Sequence, residues 1–571
     1  MLREIKERYN KISISHAIII AIAIAAIVFL SSLVAAYLLR PYNSDDVAVQ
    51  RVLQTMRPGQ ENHAIVGTDN FLIKAPLYYL MDMLFTNSPV KLLAINLILN
   101  TIFFTGMILI VLALCKPYFT SKIRVWLAFI PVIWFLGLLS GDLVPFRVDK
   151  SLGTATAFMN PNYRTAETGI ILIILASLIY HAAKLRMWVQ RVNASLLITA
   201  VTGLGAFILL SLFFFSDPFF IYTVGIGAVM TLLLKWIGKD LSGRTLLLAS
   251  GIIIASASIG KALLTHAIEF LGIIPIENVE KLFVSFPMIL ENASNSLWSL
   301  FILFHSDFWN SYITEGKTII FISNSILLFT CLFAMYFVLL RFRNQKSRRA
   351  ILLFFTVTIL LNITVFTVTV HGSHIENFRY LFVGTVFMVP LLSYVLMQLN
   401  ITMNNIRVWL TFIFIFTGSL ALNSAMNIKM SAQAFSQTGG QQAVNLDHEK
   451  IITILSGEQL TKGYGDYWDA NIITYLSNNA VSILPLACTD YKFKQYHWFV
   501  NTLDYGRKND RTFFIRNSDD ISNIIKACDP IKQFGTPNKK IIASSRYEIF
   551  VYNKDIGRDR QIYIPIAPTS H

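Results

Sequence analysis

Apolar runs too long for a soluble core dominate this chain. Ile12 to Leu39, Leu92 to Cys115, Thr245 to Ala267 and Thr318 to Leu340 approach or exceed the roughly 20 residues that cross a bilayer as helix. Of the 571 residues, 54% are hydrophobic and only 14% are charged, against roughly 25% charged in soluble domains. A water-facing surface cannot be assembled from such a composition, so the runs predict transmembrane helices. The first follows Arg3, Lys6, Arg8 and Lys11, the basic start shared by secretory signals. It is longer than the apolar core of a signal, and no small-residue cleavage site precedes Arg40-Pro41, so it reads as the first span.

Spans are expected near 15–39, 92–115, 125–143, 168–181, 194–215, 219–235, 245–267, 318–340, 350–370, 380–399 and 409–426, about 11 crossings with boundaries uncertain by about two to four residues. With the N-terminus in the cytoplasm, the inner loops carry Lys116/Lys122/Arg124, Lys184/Arg186/Arg191, Lys235/Lys239/Arg244, Arg341/Arg343/Lys346/Arg348/Arg349 and Arg407. Every inner loop is therefore basic, as the positive-inside rule requires. The net charge of +15 has its explanation there, and nucleic acid is not an expected partner. The same alternation puts residues 40–91, 142–167, 216–218, 268–317, 371–379 and everything after Asn427 outside.

The expected fold is thus a polytopic α-helical membrane protein of the inner (plasma) membrane, with a small extracytoplasmic C-terminal α/β domain. Residues 1–427 form the membrane module, including the outside loop 40–91, and residues 428–571 form the outer domain. In the latter, charges of both signs, Gly-rich turns and short β-type runs at 481–486, 512–515 and 547–552 replace the apolar runs, with helices expected near 468–476 and 519–527. Cys115 and Cys331 belong to spans or their ends. Cys488 and Cys528 are the only cysteines placed to pair, provided that the C-terminal region occupies an oxidising compartment.

The chemistry-bearing residues gather in the outside loops. The first begins Arg40-Pro41-Tyr42-Asn43-Ser44-Asp45-Asp46. A carboxylate there can deprotonate a hydroxyl or hold a divalent cation. Equally, Ser44 can cap a helix from Val47 to Met56, with Asp45 and Asp46 in its first turn facing the positive dipole end. Farther along come Lys74-Ala75-Pro76-Leu77-Tyr78-Tyr79, where Lys74 is placed to meet a lipid phosphate or to snorkel from an interfacial helix whose tyrosines form an aromatic belt.

An Asp-Asp pair just past the first span, followed in the same loop by Lys-x-Pro-Leu-Tyr-Tyr, resembles the GT-C superfamily of polyprenyl-phosphate-dependent glycosyltransferases. Within it the chain is most similar to the protein O-mannosyltransferase and aminoarabinose (lipid A) transferase group. Ala75 departs from the group's Lys-Pro-Pro-Leu element. The resemblance covers the membrane half and implies that Asp45 is the general base, Asp46 its acidic neighbour and Lys74 a contact of the lipid-linked phosphate.

The outside turn His371-Gly372-Ser373-His374-Ile375-Glu376-Asn377-Phe378-Arg379-Tyr380-Leu381 carries a second cluster. Its Arg-Tyr-Leu is similar to the start of a late helix in such transferases, which implies that Arg379 grips the donor phosphate through its planar fork. A snorkelling arginine is the plain alternative. His371, His374 and Glu376 are candidates for substrate contact, although two histidines do not complete a metal site. Asp217 sits in a turn of few residues between two spans, where an ionisable group is a functional candidate and where Ser-Asp-Pro is also an ordinary helix start. His305 and Asp307 belong more readily to an interfacial re-entrant helix than to a groove. In the outer domain, Gly463-Tyr464-Gly465-Asp466-Tyr467-Trp468-Asp469 has the aromatics and carboxylates that stack on sugars and grip hydroxyls. Tyr496 and Trp498 can join Trp468 there, while Tyr467 and Trp468 equally suit a core.

The resemblance implies a membrane glycosyltransferase that moves a sugar from a polyprenyl-phosphate donor to an acceptor outside the cytoplasm: a cell-envelope glycan, a lipid or a protein. No cofactor is assured; a divalent cation, magnesium or manganese, would be held by Asp45 and Asp46. The rivals are a transporter, flippase or polymerase of lipid-linked sugars, and a non-catalytic assembly protein whose outer domain binds glycan. A transporter needs gating charges within spans, and here the ionisable groups collect outside them.

Overall fold

A computed structural model describes residues 13–39, 47, 50–51, 64–66, 74–85, 88–138, 164–191, 219–270, 273–275, 283–304, 316–340, 348–373, 380–398, 443–489, 491–496, 500–501, 503–518 and 528–558, with individual positions between 204 and 215 and between 414 and 436. The chain divides into two compact units. One comprises 1–40, 96–261 and 279–433; the other gathers 41–95, 262–278 and 434–571.

The first unit is helical. Its members are α1 (Ile14–Leu39), most of α3 (Ser88–Cys115), α4 (Lys122–Leu138), α5 (Thr165–Arg191), α6 (Ile226–Ile237), most of α7 (Gly243–Phe270), α8 (Phe286–Leu303), α9 (Gly316–Leu340), α10 (Arg348–Val368) and α11 (Phe382–Gln398). Helix α2 (Ala75–Leu84) belongs to the second unit. Helices α4 and α11 are buried along nearly their whole length and pack on each other. A helix that is apolar all round is stable in such a place or against lipid, not in water. Around them α1, α7 and α9 expose aliphatic and aromatic side chains such as Ile27, Leu247, Ile254 and Phe333, a surface suited to hydrocarbon rather than water.

Among the described residues, five helical stretches are long and apolar enough to cross a membrane: Ile14–Val34, Val90–Tyr118, Gly243–Ala267, Phe321–Val338 and Ala350–Val368. Shorter apolar helices at Thr165–Tyr180, Ile221–Ile237 and Phe382–Gln398, together with α4, fall on four more of the expected crossings. The expected crossings near 194–215 and 409–426 lie mostly outside the described residues.

Small residues set the closest helix crossing. A Cβ at Gly169 on α5 would stand 2.6 Å from Phe103 Cα on α3, and one at Gly106 on α3 would run into the Gly169 carbonyl. Such backbone approach is how helices associate where no hydrophobic driving force separates them from lipid. Polar side chains then tie helices together: Trp134 Nε1 donates to Asn324 Oδ1 at 3.1 Å. Asn362 Nδ2 donates to the Tyr380 carbonyl at 2.8 Å, while its Oδ1 accepts from Gly384 N at 3.0 Å.

The second unit is built on a six-stranded sheet in the order β5-β4-β3-β7-β9-β8. Its strands are β3 (Lys462–Asp466), β4 (Ser482–Thr489), β5 (Lys492–Gln495), β7 (Thr512–Asn517), β8 (Lys539–Ile542) and β9 (Tyr547–Tyr552). The central β4-β3-β7 run is parallel and the flanking strands are antiparallel. Helices α12 (Ala443–Gly457) and α13 (Tyr467–Leu476) pack against each other, and α13 also packs on β4. Aromatics fill the core, with the Phe493 ring 4.9 Å from Phe514 and 5.5 Å from Phe534. A disulfide joins Cys488 of β4 to Cys528, which precedes the short helix α15 (Pro530–Phe534). The β-type runs and the helix expected at 468–476 thus become β4, β7, β9 and α13; the helix expected at 519–527 lies outside the described residues.

A second, smaller sheet draws on three distant parts of the sequence. Strand β1 (Ala64–Val66) pairs parallel with β2 (Ile273–Pro275) and antiparallel with β6 (Val500–Asn501). Segments that follow the first span and α7 are thereby hydrogen-bonded to the C-terminal domain.

Candidate functional site

The described residues of the 40–91 loop are anchored at several points after the acidic pair. Val47, Gln50 and Arg51 are helical and 0%, 2% and 4% exposed. Their i, i+3, i+4 spacing puts them on one face of a turn. Arg51 Nη1 donates to Asn471 Oδ1 of α13 at 2.7 Å. Burial pulls the guanidinium below its ordinary range, against the opposing fields of Asp504 and Tyr505 on α14 (Leu503–Gly506). Both side-chain polar atoms of Gln50 are buried without a hydrogen-bond partner among the described residues.

Lys74 occupies the turn before α2. Its carbonyl accepts from Tyr78 N at 3.1 Å, and Pro76 in the first turn has the fixed φ that helix starts favour. Lys74 and Tyr78 are each 2% exposed, so neither the snorkelling lysine nor an aromatic belt through Tyr78 describes them. Tyr79, at 47%, faces outward. A lysine this deeply buried is held by partners that satisfy its charge. Farther on, Lys91 closes the segment with a 2.8 Å ion pair to Asp82.

In the outer domain the Gly-Tyr-Gly-Asp stretch is β3 running into α13. Gly463 has no room for a Cβ, which would enter the Phe513 ring. Asp466 caps α13 by accepting from Trp468 N at 3.1 Å. Tyr467 is buried, its ring 5.3 Å from Trp468 and 5.2 Å from Tyr496, so of the expected pair one packs the core and Trp468, 36% exposed, borders solvent.

Asp469, one position on, is the centre of a buried network. Its Oδ1 accepts from Tyr547 OH at 2.8 Å and lies 3.2 Å from His448 Nε2; its Oδ2 accepts from Asn517 Nδ2 at 3.1 Å. Burial alone would raise its pKa, but His448 and the bonds from Tyr547 and Asn517 outweigh it and hold the carboxyl below its ordinary value.

Within the membrane unit, Arg164 stands at the start of α5, 7% exposed, with its guanidinium 4.2 Å from the Phe219 ring centre and 5.3 Å from that of Tyr380. Glu167 in the first turn of the same helix is fully buried. The backbone turn Val370–Ser373, which contains His371, is tied to α8: Asn292 Nδ2 donates to the Thr367 and Thr369 carbonyls, each at 2.9 Å, and Asn295 Nδ2 to the Gly372 carbonyl at 3.0 Å.

Asp45, Asp46, Asp217, His305, Asp307, His374, Glu376, Arg379 and Trp498 lie outside the described residues, as does the side chain of His371. Lys74, Tyr78 and Trp468 are described, and all three belong to the second unit. Among the described residues, no group of three or more His, Cys, Asp or Glu side chains gathers as a cation site.

Sequence reasoning passed over Arg51, Arg164, Asn471 and the Asp469 network. A signal existed for Arg164, because it stands directly ahead of an apolar helix in a loop that the charge pattern assigns to the outside, against the positive-inside bias. For Arg51 and Asn471, 420 residues apart, there was none.

No protein-family model, curated protein or solved structure matches this chain.

Proposed function

We propose that the protein is a multi-pass inner-membrane glycosyltransferase of GT-C type that transfers a sugar from a polyprenyl-phosphate carrier to an extracytoplasmic acceptor. In the proposed reaction the acceptor hydroxyl attacks the anomeric carbon as Asp45 takes its proton. The bond from that carbon to the phosphate oxygen breaks, and Lys74 and Arg379 neutralise the departing phosphate.

The observation that carries this reading is the gathering of outside segments into one body. The loop with the acidic pair and Lys74, the loop after α7 and the C-terminal domain belong to one compact unit and share the β2-β1-β6 sheet. A hydrogen-bonded sheet cannot be split by a bilayer, so its three strands share one side of the membrane. With about 11 spans as read from hydropathy, six lie between β1 and β2 and four between β2 and β6. Both counts are even, as a common side requires. The disulfide of the outer domain supports an oxidising, extracytoplasmic location, with the N-terminus then cytoplasmic.

The transporter or flippase reading finds less support. The hydrogen bonds of Asn324 and Asn362 lock spans together, which suits a rigid scaffold. The test is incubation of the purified protein with a panel of polyprenyl-phosphate sugars, with and without chelator, reading free carrier. Carrier release with at least one donor is expected; movement of intact donor across vesicles without release would overturn the proposal.

A further inference from the structure

We infer that Arg51 is a positioning residue, and that through it the C-terminal domain braces the loop bearing the acidic pair instead of serving as a separate glycan-binding module. The term positioning rests on the transferase reading; the brace itself does not.

Asp45 and Asp46 stand directly before Val47, the first of three buried residues on one helical face. Whatever fixes that face fixes the described residues that stand nearest the acidic pair in the sequence. The face is fixed by a directional contact, because the Arg51 guanidinium reaches Asn471 Oδ1 at 2.7 Å and Asn471 is itself fully buried on α13. Purely apolar contacts tolerate sliding, whereas a buried polar pair has one satisfied register; an arginine without its acceptor would be left desolvated.

The same loop is pinned a second time. Ala64 and Ile65 are in antiparallel register with Asn501 and Val500, and α14, which carries Asp504 and Tyr505 toward Arg51, begins at Leu503. The strand that holds β1 and the helix that faces Arg51 are therefore almost continuous in sequence.

The test uses the full chain in detergent micelles. Arg51→Met keeps the aliphatic bulk and removes the donor; Asn471→Leu removes the acceptor; Asn471→Asp keeps one. The brace predicts faster hydrogen exchange in peptides covering residues 41–60 for Arg51→Met and Asn471→Leu, and near-wild-type exchange for Asn471→Asp. Positioning predicts that turnover per folded molecule falls about 10- to 100-fold in the first two variants, the scale expected of an angstrom-level misplacement, while the KM for the lipid donor changes less than about twofold. Unchanged exchange in both Arg51→Met and Asn471→Leu overturns the brace. Faster exchange with unchanged turnover overturns the positioning role. If wild-type protein releases no carrier from any donor, the transferase reading fails, and the exchange comparison still decides the brace. Should Arg51→Met not accumulate, the two Asn471 variants carry the same comparison.

Discussion

Asp469→Ala is the sharpest perturbation of the outer domain. The carboxylate holds three partners, Tyr547 OH at 2.8 Å, Asn517 Nδ2 at 3.1 Å and His448 Nε2 at 3.2 Å, the first and last of them buried and Asn517 half-buried; removal leaves the longer contacts of Tyr547 OH with Asn517 Nδ2 at 3.2 Å and His448 Nε2 at 3.4 Å. Each stranded polar group costs about 1–3 kcal/mol. Relaxation around the void recovers part of this, so a loss of about 3–5 kcal/mol is expected, the range for breaking a buried charged network. Tyr547→Phe deletes one donor and leaves the other two, for about 1–1.5 kcal/mol. At about 2–4 °C per kcal/mol for a domain of this size, the two variants should differ by at least several degrees. The assay is thermal proteolysis of the full chain in detergent, reading the temperature at which residues 443–558 become cleavable. The sign with pH follows from the depressed pKa of Asp469. Its contribution is fully present above the unfolded carboxyl value of about 3.9 and is lost as pH falls through the lower folded value. The wild type should therefore lose stability below about pH 4, and Asp469→Asn should lack that slope. Equal transition temperatures for Asp469→Ala and Tyr547→Phe would refute the shared-acceptor reasoning.

Three further outcomes are expected. Reduction of Cys488–Cys528, which closes a 40-residue separation, should destabilise the outer domain by about 4 kcal/mol on the chain-entropy model; maleimide should label this pair in the denatured protein only after reductant, and labelling without reductant would contradict the disulfide. Gly106→Val should force α3 and α5 apart at the Gly169 carbonyl, costing about 1–3 kcal/mol and lowering the yield of detergent-stable protein; an unchanged yield and melting temperature would count against the close crossing. Gln50→Met, which removes a buried amide with no partner, should raise the melting temperature of the second unit by the equivalent of about 1 kcal/mol, and a decrease would mean that the amide is satisfied.

Much of this arrangement was legible because hydropathy and strand alternation are local. The apolar runs beginning at Ile12, Leu92, Thr245 and Thr318 emerge as helices within a few residues of their expected limits, and the runs at 481–486, 512–515 and 547–552 emerge as strands. What could not be read was long-range pairing. Nothing in Ala64-Ile65-Val66 announces that it joins Ile273-Ile274-Pro275 on one side and Val500-Asn501 on the other. The sequence boundary at residue 427 likewise separates the 40–91 loop from the outer domain, whereas contacts put residues 41–95 in the same compact unit as 434–571. Trp468 drew notice as an aromatic, yet the neighbouring Asp469 organises the buried network, because its importance depends on His448, Asn517 and Tyr547 converging from α12, β7 and β9. Of the proposed site, Lys74 and Tyr78 could be named from their motif, but their burial could not.

The most direct measurement is carrier release by Asp45→Asn beside wild-type protein, at matched amounts in the membrane and with the donor that the wild type accepts. The account predicts release by the wild type and none above background by the variant, with donor binding retained through Lys74 and Arg379. Wild-type-like turnover by Asp45→Asn would contradict the assignment of that carboxylate as the base.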